Sequence, residues 1–332
     1  MEAIPPPGND DFANAASVSS IPYSNNPDLS GATLQPNEPM PSCGYSPQST
    51  VWYAFTPTSS GSYIVGTSTA SFYPELAVYT GSGLPTLSEV GCRFNGPVVF
   101  KATGGTTYYV QLSNALGSGS GIAFFVDVAP NPTSSFFFSP SDPSTFDTVQ
   151  FYDQSADPGQ VGLSSEVWDY GDGTTATNPG CCPTHHFATD GTFHVTLTVT
   201  TTDGRTASTS QDVVVKTHDV TIAKVLVPQT ASVGQTRTVT VGLTDSRYPE
   251  TVQVQLLKSV TAGGWQQVGA LTQYVPVRGG NRTTNFNFNY TFAPEDAVLG
   301  KVSFQAVVTV QGARDAIPTD NTFISTPTRV AH

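Results

Sequence analysis

From Phe193 to Val199, apolar side chains at Phe193, Val195, Leu197 and Val199 alternate with His194, Thr196 and Thr198. Side chains that repeat every two residues mark an extended strand with one face toward a core. The same period returns at Val239, Val241 and Leu243, at Val252, Val254 and Leu256, at Phe286, Phe288, Tyr290 and Phe292, and again from Val302 through Phe304, Ala306 and Val308 to Val310. No long window carries the 3.6-residue period of a helix. Many short strands, each apolar on one face, bury that face only by stacking sheets, so the alternation predicts an all-β chain of consecutive β-sandwiches. At 332 residues the chain is too long for one core and suits three domains.

Only 11% of residues are charged, against roughly 25% in an average soluble domain. Solubility therefore falls to hydroxyls and amides, which suit the outward rows of strands and the turns between them. With 25 acidic and 13 basic residues and no lysine in a basic run, the chain is not built for nucleic acid, whose phosphates need clustered cations. The carboxylates are scattered singly and read as a solvated acidic surface, with calcium as the sharper alternative and no other cofactor indicated. Four cysteines and the lack of a transmembrane run of some 18 apolar residues point to a soluble chain from an oxidising compartment. Met1-Glu2-Ala3-Ile4 is not a secretory leader, and the expectation is that a leader has been removed.

Residues 1–7 end in Pro5-Pro6-Pro7 and read as an N-terminal tail or spacer. Residues 8–130 alternate short strands with turns. Asn9-Asp10-Asp11-Phe12, Glu38-Pro39, Cys43, Trp52-Tyr53-Ala54-Phe55, Leu76-Ala77-Val78-Tyr79-Thr80-Gly81, Cys92 and Gly105-Thr106-Thr107-Tyr108-Tyr109 resemble the bacterial pre-peptidase C-terminal (PPC) family, which implies a jelly-roll-like sandwich. Pro130-Asn131-Pro132 marks a boundary. Residues 131–217 then carry Ser139-Pro140, Pro143, Val149, Phe151, Trp168-Asp169-Tyr170-Gly171-Asp172-Gly173, Pro183-Thr184-His185-His186-Phe187 and Gly191-Thr192-Phe193. This stretch resembles the PKD domain, an immunoglobulin-like sandwich of exported bacterial proteins. Residues 218–332 resemble the immunoglobulin-like, cell-adhesion-related (CARDB-like) modules of bacterial surface proteins, through their strand pattern and Val233-Gly234-Gln235.

Trp168 and Trp52 are expected in the structural core. Cys43 and Cys92 are the only cysteines of their segment and are expected to pair; the adjacent Cys181 and Cys182 are expected to form a vicinal disulfide, with two buried thiols as the alternative. A zinc site from Cys181, Cys182, His185 and His186 fits poorly, because adjacent ligands point apart. Two calcium sets are possible in composition: Asp10 and Asp11 with Glu38, and Asp153 with Asp169 and Asp172. For each, a turn in which the carboxylates accept backbone donors is the competing reading. Tyr73, Tyr248 and Trp265 lie beside turn residues, where a ring could stack on a sugar or cover a loop. The sequons at Asn281 and Asn289 read as incidental in a bacterial protein.

No His-Glu-x-x-His, Gly-x-Ser-x-Gly or phosphate-binding Gly-Lys motif occurs, and Gly117-Ser118-Gly119-Ser120-Gly121 has glycine where the nucleophile would stand. The expectation is a non-catalytic, secreted or cell-surface binding, adhesion or accessory protein whose partner is a polysaccharide or a protein matrix. The alternatives are a self-associating surface-layer or filament protein joined by strand addition, and a hydrolase using the carboxylates near Asp169.

Overall fold

The computed structural model describes residues 4–332 apart from 45, 69–72, 115–120, 246, 262 and 279–281, so the Gly117–Gly121 run apart from Gly121, and the first sequon asparagine, lie outside the described residues. The fold is all-β and multi-domain, as the alternation requires: among the described residues, strands far outnumber the one short α-helix, Pro294–Leu299, and three 3-10 turns. The chain divides into two compact units. One comprises Met1–Phe137, Tyr152–Cys181 and Val195–Gln211; the other comprises Phe138–Phe151, Cys182–His194 and Asp212–His332.

In the first unit, a five-stranded sheet runs in the order Ala16–Val18, Ser49–Phe55, Tyr108–Asn114, Pro74–Thr80, Ser88–Phe94. It faces a second sheet ordered Tyr23–Asn25, Ala123–Val128, Gly61–Ser68, Val98–Ala102. Val51, Tyr53, Phe55, Leu76, Val78, Val110, Leu112 and Phe124 are buried together as its core, with Tyr53 stacked on Phe124 at 4.0 Å between ring centroids. Trp52 points away from that core and is nevertheless 0% exposed. A second small cluster covers it, with Phe12 edge-on at 5.2 Å and Tyr79 at 6.0 Å. Burial there strands polar groups unless they find partners, and Glu38 supplies them. Its carboxylate accepts from Thr50 Oγ1 at 2.7 Å, Trp52 Nε1 at 3.1 Å and Gln111 Nε2 at 3.3 Å. Cys43 and Cys92 form the expected disulfide. The segment read as a tail is partly docked: a Cβ on Gly31 would come within 2.3 Å of the Pro5 carbonyl oxygen, so only glycine allows that approach.

Residues 131–217 contribute a sheet ordered Thr175–Thr177, Leu163–Asp169, Gly191–Thr201, Thr206–Val215 and another ordered Phe136–Ser139, Val149–Asp153, Thr184–His185. Trp168 is 0% exposed, with Phe136 edge-on at 5.1 Å, in the core role its position predicts. Arg205 is buried beside the Asp203 turn. Its Nε donates to Asp203 Oδ2 at 2.8 Å, Nη2 lies 3.1 Å from Asp157 Oδ1, and Nη1 donates to the Pro130 carbonyl. Burial pushes the Asp203 carboxyl upward, but bonds from Arg205, Thr201 and Ser62 and the guanidinium charge outweigh it and hold the group well below the usual carboxylate range.

The C-terminal sandwich lies wholly in the second unit. Its sheets run Val220–Leu226, Thr236–Asp245, Thr284–Thr291; Trp265–Val275, Glu250–Ser259, Phe304–Val310, Thr322–Ile324; and Thr230–Ser232, Thr328–Ala331, Lys301–Val302. Val239, Val241, Leu243, Val252, Val254, Leu256, Phe286 and Phe304 make its core. The outward rows are paired by neutral groups: Thr236 with Thr291 at 2.8 Å, Thr238 to Asn289 at 2.9 Å and Thr240 to Asn287 at 2.8 Å. Lys258 is 4% exposed and donates to Asp296 Oδ1 at 2.8 Å. Asp296 also accepts from Tyr290 Oη at 2.6 Å and from the Ala293 amide at 2.9 Å, which ties the start of the helix to the sheet.

Replacing Cys43 and Cys92 together by serine should lower unfolding free energy by about 4 kcal/mol, since the bridge closes a separation of 49 residues. Urea titration of oxidised and variant protein measures this. Arg205→Ala should cost about 3–5 kcal/mol, because it leaves buried carboxylates without their cation. The Asp203 contribution has the sign of a depressed acid. It is fully present above the unfolded value of 3.8 and is lost as pH falls through the folded value. The stability gap between wild type and Asp203→Asn should therefore be full at neutral pH and begin to shrink only below about pH 4, narrowing progressively toward the folded value, as followed by thermal melts across pH.

Candidate functional site

The two expected calcium sets are engaged by the chain itself. Asp10 is 8% exposed and accepts from the Thr33 amide at 2.6 Å and from Thr33 Oγ1 at 2.7 Å, while Glu38 serves the polar cluster around Trp52. Asp11 stands at the N-cap of the Phe12–Asn14 turn without a side-chain cap bond. In the middle segment each aspartate closes a turn onto the residue two positions on. Asp153 accepts from the Ser155 amide at 2.8 Å, Asp169 from the Gly171 amide at 2.9 Å, and Asp172 from the Thr174 amide at 3.0 Å. Gly171 and Gly173 take φ of 74° and 92°, a left-handed conformation that favours glycine at both turn corners. Asp169 and Asp172 build the corner that follows Trp168.

Cys181 is exposed and Cys182 half-buried. Of the histidines considered with them for zinc, His186 has Nε2 2.9 Å from the Thr145 carbonyl, and His185 packs edge-on against Phe187 at 4.7 Å. Cys43 and Cys92 converge with the buried Glu75, but their sulfurs are spent in the disulfide and offer a metal no thiolate. Burial pushes the Glu75 carboxyl up, against a bond from Ser113. Lys258 is not an amine nucleophile. Burial works against its charge, but the bonds to Asp296 and Tyr290 outweigh that and keep the ammonium protonated well above its ordinary range.

What the surface offers is aromatic. Tyr73 is 55% exposed and stacks on Phe94 at 6.0 Å and 27° between ring planes, so it is both presented and braced. Trp265, 38% exposed, opens its strand opposite Ser259. Tyr248 differs from the expectation of a free stacking face. Its hydroxyl donates to Asp190 Oδ2 at 3.0 Å and its ring is covered by the Lys216 ammonium at 4.6 Å from the centroid. Sequence reasoning missed a second pair: Phe137, 46% exposed, lies parallel to Tyr152 at 4.6 Å and 9°. The signal was present, since Phe137 and Tyr152 each follow a buried aromatic, Phe136 and Phe151, and so occupy the strand phase that normally carries polar groups. The two rings stack face to face, so Tyr152 braces Phe137 and the exposed outer side of Phe137 is the face suited to stacking against a sugar ring or an apolar peptide side chain.

No helix among the described residues is long and apolar enough to cross a membrane. The chain is 38% identical over 63 residues to a microbial collagenase of Vibrio alginolyticus, a match covering 19% of this chain and 7% of the collagenase's length. It is also similar to the PKD1 domain of the Vibrio cholerae metalloprotease PrtV, with 28% identity over 26% of this chain and all of that one, at a TM-score of 0.24. The PKD1 domain of Vibrio anguillarum Epp shows 26% identity over 26% of this chain and 96% of that one, also at a TM-score of 0.24. The profile of the PKD domain family matches residues 130–216, the stretch built around the Trp168 corner, the buried Arg205 and the Phe137–Tyr152 pair: this β-sandwich chain carries a PKD domain at its centre.

Proposed function

We propose that the chain is a non-catalytic, extracellular binding or accessory protein of a bacterium, which holds a polysaccharide or a fibrous protein matrix for a catalytic partner or for the cell. The observation that carries this reading is the braced Phe137–Tyr152 surface on the PKD domain, with Tyr73 on Phe94 as a second ring surface in the same unit. Secretion agrees with the Cys43–Cys92 disulfide and with a PKD domain. The relative that matches the PKD segment is a collagenase, so fibrillar collagen is the first matrix to test. The carboxylates near Asp169 are given no catalytic part, since each is used to close a turn.

Self-association by strand addition stands as a second reading because Thr322–Ile324 is an edge strand with Phe323 40% and Ile324 54% exposed, the kind of edge on which another chain can pair. Light scattering of the intact protein separates the two: a monomer that retains ligand supports the first reading, and concentration-dependent growth abolished by Ile324→Lys supports the second.

Sedimentation with insoluble collagen and with insoluble polysaccharides should retain the wild-type chain on at least one of them. Phe137→Ala combined with Tyr152→Ala should weaken that retention about tenfold, the effect of losing roughly 1.4 kcal/mol of ring contact. Failure to bind either class, or binding untouched by the double substitution, would count against the aromatic surface as the site. Asp169→Asn with altered turnover of any matrix would instead revive catalysis.

A further inference from the structure

At the start of the C-terminal sandwich, one carboxylate converges with two from a single loop distant from it in sequence. Asp219, Asp315 and Asp320 each place an oxygen within 4.8 Å of the others. That spacing is close to the span of a calcium coordination sphere, in which ligands about 2.3–2.6 Å from the ion lie at most some 5 Å apart. Local folding holds the group in place. Asp315 accepts from the Val220 amide at 3.2 Å and the Ile317 amide at 2.8 Å, and Asp320 Oδ2 accepts from Thr221 Oγ1 at 2.8 Å. The Ala316 amide donates to the His218 carbonyl at 2.7 Å.

Like charges brought together by a fold ordinarily receive neutralising donors. Here several oxygens do not. Asp219 Oδ1 and Asp320 Oδ1 are buried without a hydrogen-bond partner. Asp245 pairs across the ladder with Val220, beside Asp219; it is 2% exposed, and only its Oδ1 is engaged, by the Arg247 amide, while Oδ2 has no partner. Asn321, next to Asp320 and 8% exposed, also has an unpartnered Oδ1. The nearby cation, Arg247, has its Nη1 3.2 Å from Asp190. His218 is bound to Glu250. A buried polar oxygen without a partner is costly, and two of them belong to the cluster itself, on Asp219 and Asp320, with a third on the adjacent Asn321, which implies a ligand that supplies positive charge.

We propose that Asp219, Asp315 and Asp320 bind one calcium ion. All donors are hard oxygens, with no imidazole or thiolate among them, which suits calcium rather than zinc. Three carboxylates exceed the one or two through which magnesium is usually held, since magnesium keeps several of its waters. The ion would fasten the residues immediately after the PKD domain, at Asp219, to the 315–321 loop. Its role is to fix the first strand of the C-terminal sandwich.

The test uses the intact chain stripped with EDTA and desalted. Calorimetry and elemental analysis should show one calcium rebinding per chain, and melting in millimolar calcium should rise by about 2–4 °C. Asp219→Asn and Asp320→Asn should bind at least tenfold more weakly, while Asp169→Asn and Glu38→Gln bind as wild type does. In EDTA the Asp219→Asn and Asp320→Asn proteins should melt no lower than wild type, because each removes a like-charge repulsion. That control separates loss of an ion from loss of the fold. No calcium heat and no melting shift in wild type up to about 10 mM, above the usual ~10⁻⁴–10⁻³ M range of extracellular modules, would overturn the proposal. So would calcium binding that survives both substitutions, or variants that melt well below wild type in EDTA.

Discussion

A strand can bury one row of side chains only if the other row is stable where it lies, and this chain must meet that condition with very few charges. It does so in two ways. On outward faces, hydroxyls and amides pair directly across neighbouring strands, as in Thr236–Thr291, Thr238–Asn289 and Thr240–Asn287 of the C-terminal sandwich and Thr198–Ser208 of the PKD segment. Where a second layer covers the outward face, one carboxylate serves several donors, as Glu38 does beneath Trp52. Each device satisfies polar groups locally and leaves the apolar rows free to set the fold.

Charge is correspondingly kept for ties between segments distant in sequence. Arg205 joins Asp203 and Asp157 to the Pro130 carbonyl, Arg314 binds Asp147, Arg247 binds Asp190, and Lys258 holds Asp296 at the helix start. The buried pairs among them, those of Arg205 and Lys258, cost desolvation on formation and are costly to break. They therefore specify which segments meet more than they add net stability. The acidic excess of the sequence is the reverse of the same economy, because aspartates recur as turn formers at Asp153, Asp169 and Asp172 without needing a cation.

The alternating strands, the Trp168 corner, the PKD signature and the Cys43–Cys92 bridge were all legible in the sequence, because each depends on near neighbours or on a simple elimination within one segment. Trp52 was legible as core but not in its setting, since nothing local shows that Phe12 and Glu38 come over the outer face of its strand. Phe137 and Tyr152 could have been found by asking which aromatics fall in the polar phase of a strand. The carboxylate groups could not be sorted from sequence for one reason: proximity along the chain gathers turn formers, whereas Asp219 meets Asp315 and Asp320 only through a returning loop. Nothing beside Tyr248 marks its ring as covered, because its partners, Asp190 and Lys216, lie far from it along the chain.

The neutral cross-strand pairs carry a consequence for how the chain meets its medium. Hydroxyl and amide pairs gather no counter-ion atmosphere, so dissolved salt has little to screen along the outward rows. Arg205 and Lys258 are shielded by burial, with side chains 6% and 5% exposed. Among the described arginine ties, Arg247 and Arg314, each 39% exposed, are ones that ionic strength can reach. Both lie where the end of the PKD domain meets the C-terminal sandwich within one compact unit. Of these arginine ties, salinity would thus act on those at this joint, while the covered Arg205 is out of its reach.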